Sequence, residues 1–197
     1  MEHPVGILLA AGRGRRFDPS GERNKLLQVL PDGELVVAAS ARALLSVLPR
    51  VVAVVPPNDG GVGDALRVLG CEVTACPEAD SGMAASLVHA IRRSLPRADA
   101  WLVALGDMPF VAPATLRALL DALEAGAGAG IAAPLHGGRR GNPVAFGAVH
   151  LPALLALEGE HGARALLKSA PVTQVEVDDP GIFCDIDTPA DLQGSSD

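Results

Sequence analysis

The chain has no tyrosine, one tryptophan and four phenylalanines, so stacking on aromatic rings is a poor candidate for its main means of ligand recognition. It also lacks a basic excess. A net charge of −7 excludes the broad positive surface that phosphate-backbone binding uses, and no nucleic-acid partner is expected. Any phosphate chemistry must come from local cations. Cys71, Cys76 and Cys184 form an odd set without the close cysteine pairs of a zinc site. Met1 is followed by no basic segment and long apolar core, so reduced thiols and a cytoplasmic protein are expected. Gly, Pro or charge interrupts every apolar run well short of the roughly 18 residues of a membrane span, so no membrane association is expected either.

What the chain does have is 197 residues, 49% of them hydrophobic, enough for a sizeable core in one α/β domain over residues 1–197. Continuous apolar runs at Val5 to Ala10, Val51 to Val55 and Ala100 to Leu105 predict strands buried on both faces. Weaker strand candidates are Glu72 to Ala75, Gly130 to Ala133, Pro143 to Phe146 and Gln174 to Val177. Helical spacing falls between them at Leu35 to Leu48, Val62 to Leu69, Ala84 to Leu95 and Pro113 to Leu123. The β, α, β, α order predicts a mainly parallel sheet with its ligand crevice at the strands' carboxyl ends.

The chemistry-bearing residues cluster at those ends. Gly12 and Gly14 follow the first strand beside Arg13, Arg15 and Arg16, a combination suited to an anion because small residues let backbone N–H groups approach phosphate oxygens. Phe17 occupies the third-glycine position of a dinucleotide fingerprint, and Lys25 lies between Asn24 and Leu26 rather than in a P-loop. A tight turn with solvated arginines accounts for this stretch equally well on spacing alone. Lys25 could fold back over the same crevice, or be an ordinary surface lysine.

Asp107, in Leu105-Gly106-Asp107-Met108-Pro109, ends the strand that begins near Ala100. A carboxylate there suits Mg²⁺ shared with triphosphate oxygens, although it could equally cap the turn before Pro109. Asp185 and Asp187, one residue apart, face the same side of an extended chain. Thr188-Pro189-Ala190-Asp191 carries a helix-start signal, which accounts for Thr188 and Asp191 and leaves both earlier aspartates free for metal. Ser81 to Ser86 predicts a helix start whose N–H groups face ligand, with core packing an alternative for Met83. Arg139 to Pro143 reads as a polar turn, and Gly159 to Arg164, containing His161, as a loop. No Ser-His-Asp or Cys-His order stands out.

Taken in order, Leu9-Ala10-Ala11-Gly12 with Arg16, Lys25, Gly82-Met83 with Ser86-Leu87, Leu105 to Pro109, Arg140-Gly141-Asn142-Pro143 and Asp185 to Pro189 resemble the MobA-like nucleotidyltransferases, particularly molybdenum cofactor cytidylyltransferases. The resemblance runs from about Val5 to Leu192. It implies a single-domain, Rossmann-like three-layer sandwich of the nucleotide-diphospho-sugar transferase type, with a mixed but mainly parallel sheet. It also implies nucleotide contacts from Leu9, Ala10, Ala11, Gly12, Gly14, Arg16, Lys25, Gly82, Ser86 and Asp107. Lys25, Arg16 and Asp107 would be catalytic, Asp107 and Asp187 would hold Mg²⁺, and Arg140, Asn142 and His161 are acceptor-binding candidates.

Relatives that transfer CMP typically carry Ala-Ala-Gly where guanylyl-transferring ones carry Ala-Gly-Gly, so Ala10-Ala11-Gly12 favours CTP. This chain departs from the cofactor enzymes at Gly14, where Ser is common, and at Asn142, where His is frequent. The resemblance implies transfer of CMP to the terminal phosphate of molybdopterin, with a molybdoenzyme or insertion chaperone as the receiving partner. Rival readings are transfer to another phosphorylated metabolite or from GTP, and a noncatalytic cofactor or nucleotide carrier.

Overall fold

Val5 and Ile7 point into one hydrophobic cluster and Leu8 and Ala10 into a second, so the first strand has a core on each side, as its unbroken apolar sequence requires. The computed structural model describes residues 1–193 except Arg13, Pro96 and His161. The strands are β1 (Pro4–Leu9), β2 (Val51–Val55), β3 (Glu72–Ala75), β4 (Ala100–Leu105), β5 (Ile131–His136), β6 (Arg139–Arg140), β7 (Val144–Gly147) and β8 (Thr173–Glu176). The helices are α1 (Val36–Leu45), α2 (Val62–Val68), α3 (Met83–Ser94), α4 (Pro113–Ala125), α5 (Leu151–Leu155) and α6 (Arg164–Ser169). None of the described helices is long and apolar enough to cross a membrane.

Strands β3, β2, β1 and β4 run parallel in that order. Antiparallel β7 continues the sheet from β4 to β5, and β8 pairs parallel with β5. Strands β6 and β7 both pair with β5, through Leu135 opposite Arg140 and Ala132 opposite Ala145, and so form one interrupted strand. Helices α1, α2 and α4 cover one face through Leu44, Leu66 and Leu119, while α3 and α5 cover the other through Ile91 and Leu154. The result is the expected α/β three-layer sandwich with a mixed, mainly parallel sheet.

Several boundaries differ from the sequence expectation. Strand β5 extends to His136 because the Gly137-Gly138 turn, with both φ values positive, folds Arg139 and Arg140 back as β6. Those arginines are therefore in a strand rather than in a plain turn. Helix α6 starts at Arg164, inside the segment expected to be a loop. Thr188 to Asp191 does start a helical turn, of the 3₁₀ kind at Pro189–Gln193, with Asp191 Oδ2 accepting the Thr188 N–H at 2.6 Å.

Candidate active site

Parallel pairing sets Leu9 opposite Leu105, so the segments leaving β1 and β4 emerge side by side at the sheet's carboxyl edge. Gly106 N–H donates to Leu9 O at 2.9 Å, and Ser40 Oγ on α1 donates to Gly106 O at 3.1 Å. Asp107 is thereby held next to the glycine loop.

Gly14 turns the chain after β1 at φ +58°, and its carbonyl accepts the Phe17 and Asp18 N–H groups at 2.9 and 3.1 Å. A side chain here would be strained by that φ and would lie 3.4 Å from Lys25 Cγ. The backbone conformation, rather than lack of space, is what favours glycine here. The next turn is organised by Asp18, which accepts from Ser20 Oγ at 2.7 Å and Arg23 N–H at 2.8 Å. Those bonds hold its carboxyl below the ordinary carboxylate range, the Ser20 hydroxyl first and the Arg23 amide next. Asn24 then caps the 3₁₀ turn Lys25–Leu27 by accepting the Leu26 N–H.

The loop so built delivers Lys25 into the crevice. Its ammonium lies 2.6 Å from Asp107 Oδ2 and 3.3 Å from Asp187 Oδ1, with only 8% of the side chain exposed. Arg16 Nη1 lies 2.6 Å from Asp187 Oδ2. The Ile186 N–H donates to Asp107 O at 2.8 Å, which docks the C-terminal segment on the end of β4. Ile186 is buried while Asp185 and Asp187 both face the cleft, as the i, i+2 spacing predicted. Partial desolvation, then the charges of Asp187 and Asp107, hold the Asp185 carboxyl above its ordinary range.

These residues line a cleft of about 560 Å³. Leu9, Ala10, Ala11, Gly12, Gly14, Arg16, Lys25, Gly82, Ser86, Asp107 and Asp187 all border it. Met83, 44% exposed, borders it too instead of packing in the core. At the start of α3 the Ala84 N–H is taken by Gly159 O at 3.2 Å, so the expected N–H donors facing ligand do not include that one. Glu160 and Arg164 line the cleft as well. The sequence marks their segment, Gly159 to Arg164, as a loop without distinguishing either residue, since Glu160 lies in the loop and Arg164 opens a short helix with no periodic signal.

Arg140 and Asn142 do not border this cleft. Arg140 is exposed on β6, and Asn142 borders a small apolar crevice with Ser40, Leu44 and Pro143 while its N–H donates to Ile182 O. His161 lies outside the described residues. A second cleft of about 590 Å³ adjoins the first across Asp185 and Asp187, with Arg139 and Phe183 on its walls. The Arg139 guanidinium stands 4.4 Å over the Phe183 ring.

Comparison with known proteins gives this geometry its family. The MobA-like NTP transferase domain matches residues 6–176. The purine catabolism protein PucB of Bacillus subtilis is 30% identical over 200 residues, covering 94% of this chain and 92% of that protein. Among solved structures, Rv0371c of Mycobacterium tuberculosis superposes with a TM-score of 0.81 at 29% identity, covering 96% of this chain and 95% of that one, and it is also known as a manganese complex. A nucleotidyl transferase from Methanothermobacter thermautotroptrophicus gives 0.80 at 27% identity, covering 97% and 94%. With its glycine loop, lysine and paired aspartates at one sheet edge, the chain belongs to the MobA-like NTP transferase family.

Proposed function

We propose that the protein transfers CMP from CTP to the terminal phosphate of a molybdopterin-type acceptor and releases pyrophosphate. The observation that carries this reading is the convergence of Lys25 with Asp107 and Asp187 beside the glycine loop. A buried ammonium, an arginine and paired carboxylates at one point suit a phosphate chain accompanied by a divalent cation, and a passive carrier has little use for them. Ala11 at the second position of Ala10-Ala11-Gly12 supports cytosine over guanine.

Asp107, Asp185 and Asp187 offer only oxygen donors, which fits Mg²⁺ or Mn²⁺, and their crowding, expressed in the raised Asp185, is what a divalent charge would relieve. A bound ion of this kind neutralises phosphate oxygens as charge develops on them. Lys25 and Arg16 would move from their carboxylate partners to the triphosphate, and Gly12 and Gly14 would let the backbone approach it. An acceptor phosphate oxygen forms the new bond to the α-phosphorus as the bond to the bridging oxygen breaks, and pyrophosphate leaves with the electron pair. The acceptor phosphate is already ionised, so no general base is needed, consistent with the lack of a His-carboxylate pair among the described cleft residues. Positioning and electrostatics supply the catalysis.

The second cleft is the better acceptor site, because it meets the first at Asp185 and Asp187 and carries Arg139 for an anionic group. A matrix of nucleoside triphosphates against phosphorylated acceptors, read by pyrophosphate release with Mg²⁺, tests both halves. Release with CTP and molybdopterin is expected. Release only with GTP would overturn the donor, and release only with a different phosphorylated metabolite would overturn the acceptor.

A further inference from the structure

Behind the wall of the nucleotide cleft stands a second set of metal-binding side chains that the reaction does not use. Cys76 directly follows β3, Glu78 lies two residues on, and His89 projects from α3. One ligand atom from each lies within 4.8 Å of the others. The Cys76 sulfur is 4.0 Å from Glu78 Oε2. Thr74 Oγ1 on β3 makes a 2.8 Å hydrogen bond with His89 Nε2, which restrains the orientation of the ring. Cys76 is fully buried, His89 is half-buried and Glu78 is exposed, so the group is open to solvent on the glutamate side.

The chemistry of these donors differs from that of the aspartates. Thiolate, imidazole and carboxylate together select a borderline ion such as Zn²⁺, whereas Mg²⁺ avoids sulfur and nitrogen. Ligands about 2.0–2.3 Å from a tetrahedral zinc lie roughly 3.3–3.8 Å from one another, so small side-chain rotations close the observed spacing. We propose that Cys76, Glu78 and His89 form a three-ligand zinc site with its fourth position open to water. Binding releases the thiol proton to solvent. The site ties the end of β3 to α3, and Ser86, whose hydroxyl lies against the Cys76 sulfur, belongs to the nucleotide cleft as well. Cysteine spacing alone gives no sign of it, since it uses one cysteine and draws its histidine from a helix.

Cobalt substitution tests the site without reference to turnover. Full-length protein stripped with chelator and titrated with Co²⁺ is expected to develop a sulfur-to-cobalt charge-transfer band and tetrahedral visible bands. Stoichiometric Zn²⁺ should bleach them, and excess Mg²⁺ should not. Cys76→Ser should abolish the charge-transfer band. Cys184→Ser should retain it, which separates this site from a thiolate contact beside Asp185. Glu78→Gln and His89→Gln, at positions open enough to keep the fold by circular dichroism, should each weaken Zn²⁺ binding about tenfold or more. Absence of the band in wild-type protein would overturn the proposal, as would a band that survives Cys76→Ser and disappears in Cys184→Ser.

Discussion

The Lys25 ammonium, 2.6 Å from Asp107 Oδ2, occupies the carboxylates that a divalent cation would use. On the proposed function, the ammonium and the divalent cation would compete for these carboxylates. Lys25→Met should lower turnover by about 10²–10³-fold, the scale for removing one preorganised electrostatic group. The same variant without nucleotide should bind Mn²⁺ about tenfold more tightly, as expected for deleting a unit charge roughly 5 Å away in a partly solvated cleft. Calorimetric Mn²⁺ titration reads the second effect. Weaker Mn²⁺ binding in the variant would show that the ammonium and the metal do not share these carboxylates.

Much of this arrangement is legible in the amino-acid sequence. The runs at Val51–Val55 and Ala100–Leu105 are the observed strands residue for residue, because a strand covered on both faces needs apolar side chains throughout, while the weaker candidate Glu72–Ala75 matches β3, an edge strand whose end residues are exposed. The i, i+2 spacing of Asp185 and Asp187 sets both on one side because alternate residues of an extended chain share a face, and both border the cleft. Strand β6 was illegible, since two exposed arginines carry no pattern and owe their pairing to a glycine turn. Asp18 left a faint trace in its Asp-Pro-Ser turn chemistry. Asp179 likewise shows only its local Asp-Pro-Gly turn to Gly181, because its other partners, Thr115 and Ala112, are 64 and 67 residues away in sequence. Arg140 is named by the resemblance, whereas Arg139 lines the second cleft, a placement that depends on the β5–β6 pairing.

Gly82 offers a test of how α3 is set against the cleft. Its φ of +117° is one that L side chains rarely adopt, and an added Cβ would fall 2.6 Å from Gly159 O. Gly82→Ala should cost about 2 kcal/mol of stability and push α3 away from the segment that carries Glu160. Equilibrium denaturation should show the loss, and KM for the nucleotide should rise more than kcat falls. An unchanged KM would mean that this contact serves the fold alone.

Asp179 caps α4 from a distance. The helix has no side-chain cap of its own, and the buried Asp179 carboxylate accepts from Ala112 N–H at 2.9 Å, Thr115 Oγ1 at 2.6 Å and Gly181 N–H at 3.0 Å. Asp179→Ala should destabilise the protein by about 3 kcal/mol, since it leaves buried donors unpaired. The folded fraction should keep near wild-type KM for the nucleotide, because none of these groups borders the nucleotide cleft. A loss below about 0.5 kcal/mol in urea denaturation would show that water replaces the carboxylate without penalty.

Acid sensitivity follows from carboxylates with lowered pKa values, among them Asp18, Glu72 and Asp191. Asp18 is held down first by the Ser20 hydroxyl and then by the Arg23 amide. Glu72 is held down first by its paired hydrogen bonds from Arg50, against an opposing desolvation. A depressed folded-state pKa stabilises the fold above the ordinary carboxylate value, roughly pH 4, and that stabilisation is lost as pH falls through the lower folded value. Urea midpoints should therefore be level near neutrality and drop below about pH 4. Asp18→Asn and Glu72→Gln should each flatten that drop while lowering the neutral plateau. Because Asp18 also shapes the turn that delivers Lys25, only Asp18→Asn should reduce turnover at pH 7 as well. Equal loss of turnover in Glu72→Gln would mean that the effect travels through global stability rather than through the loop.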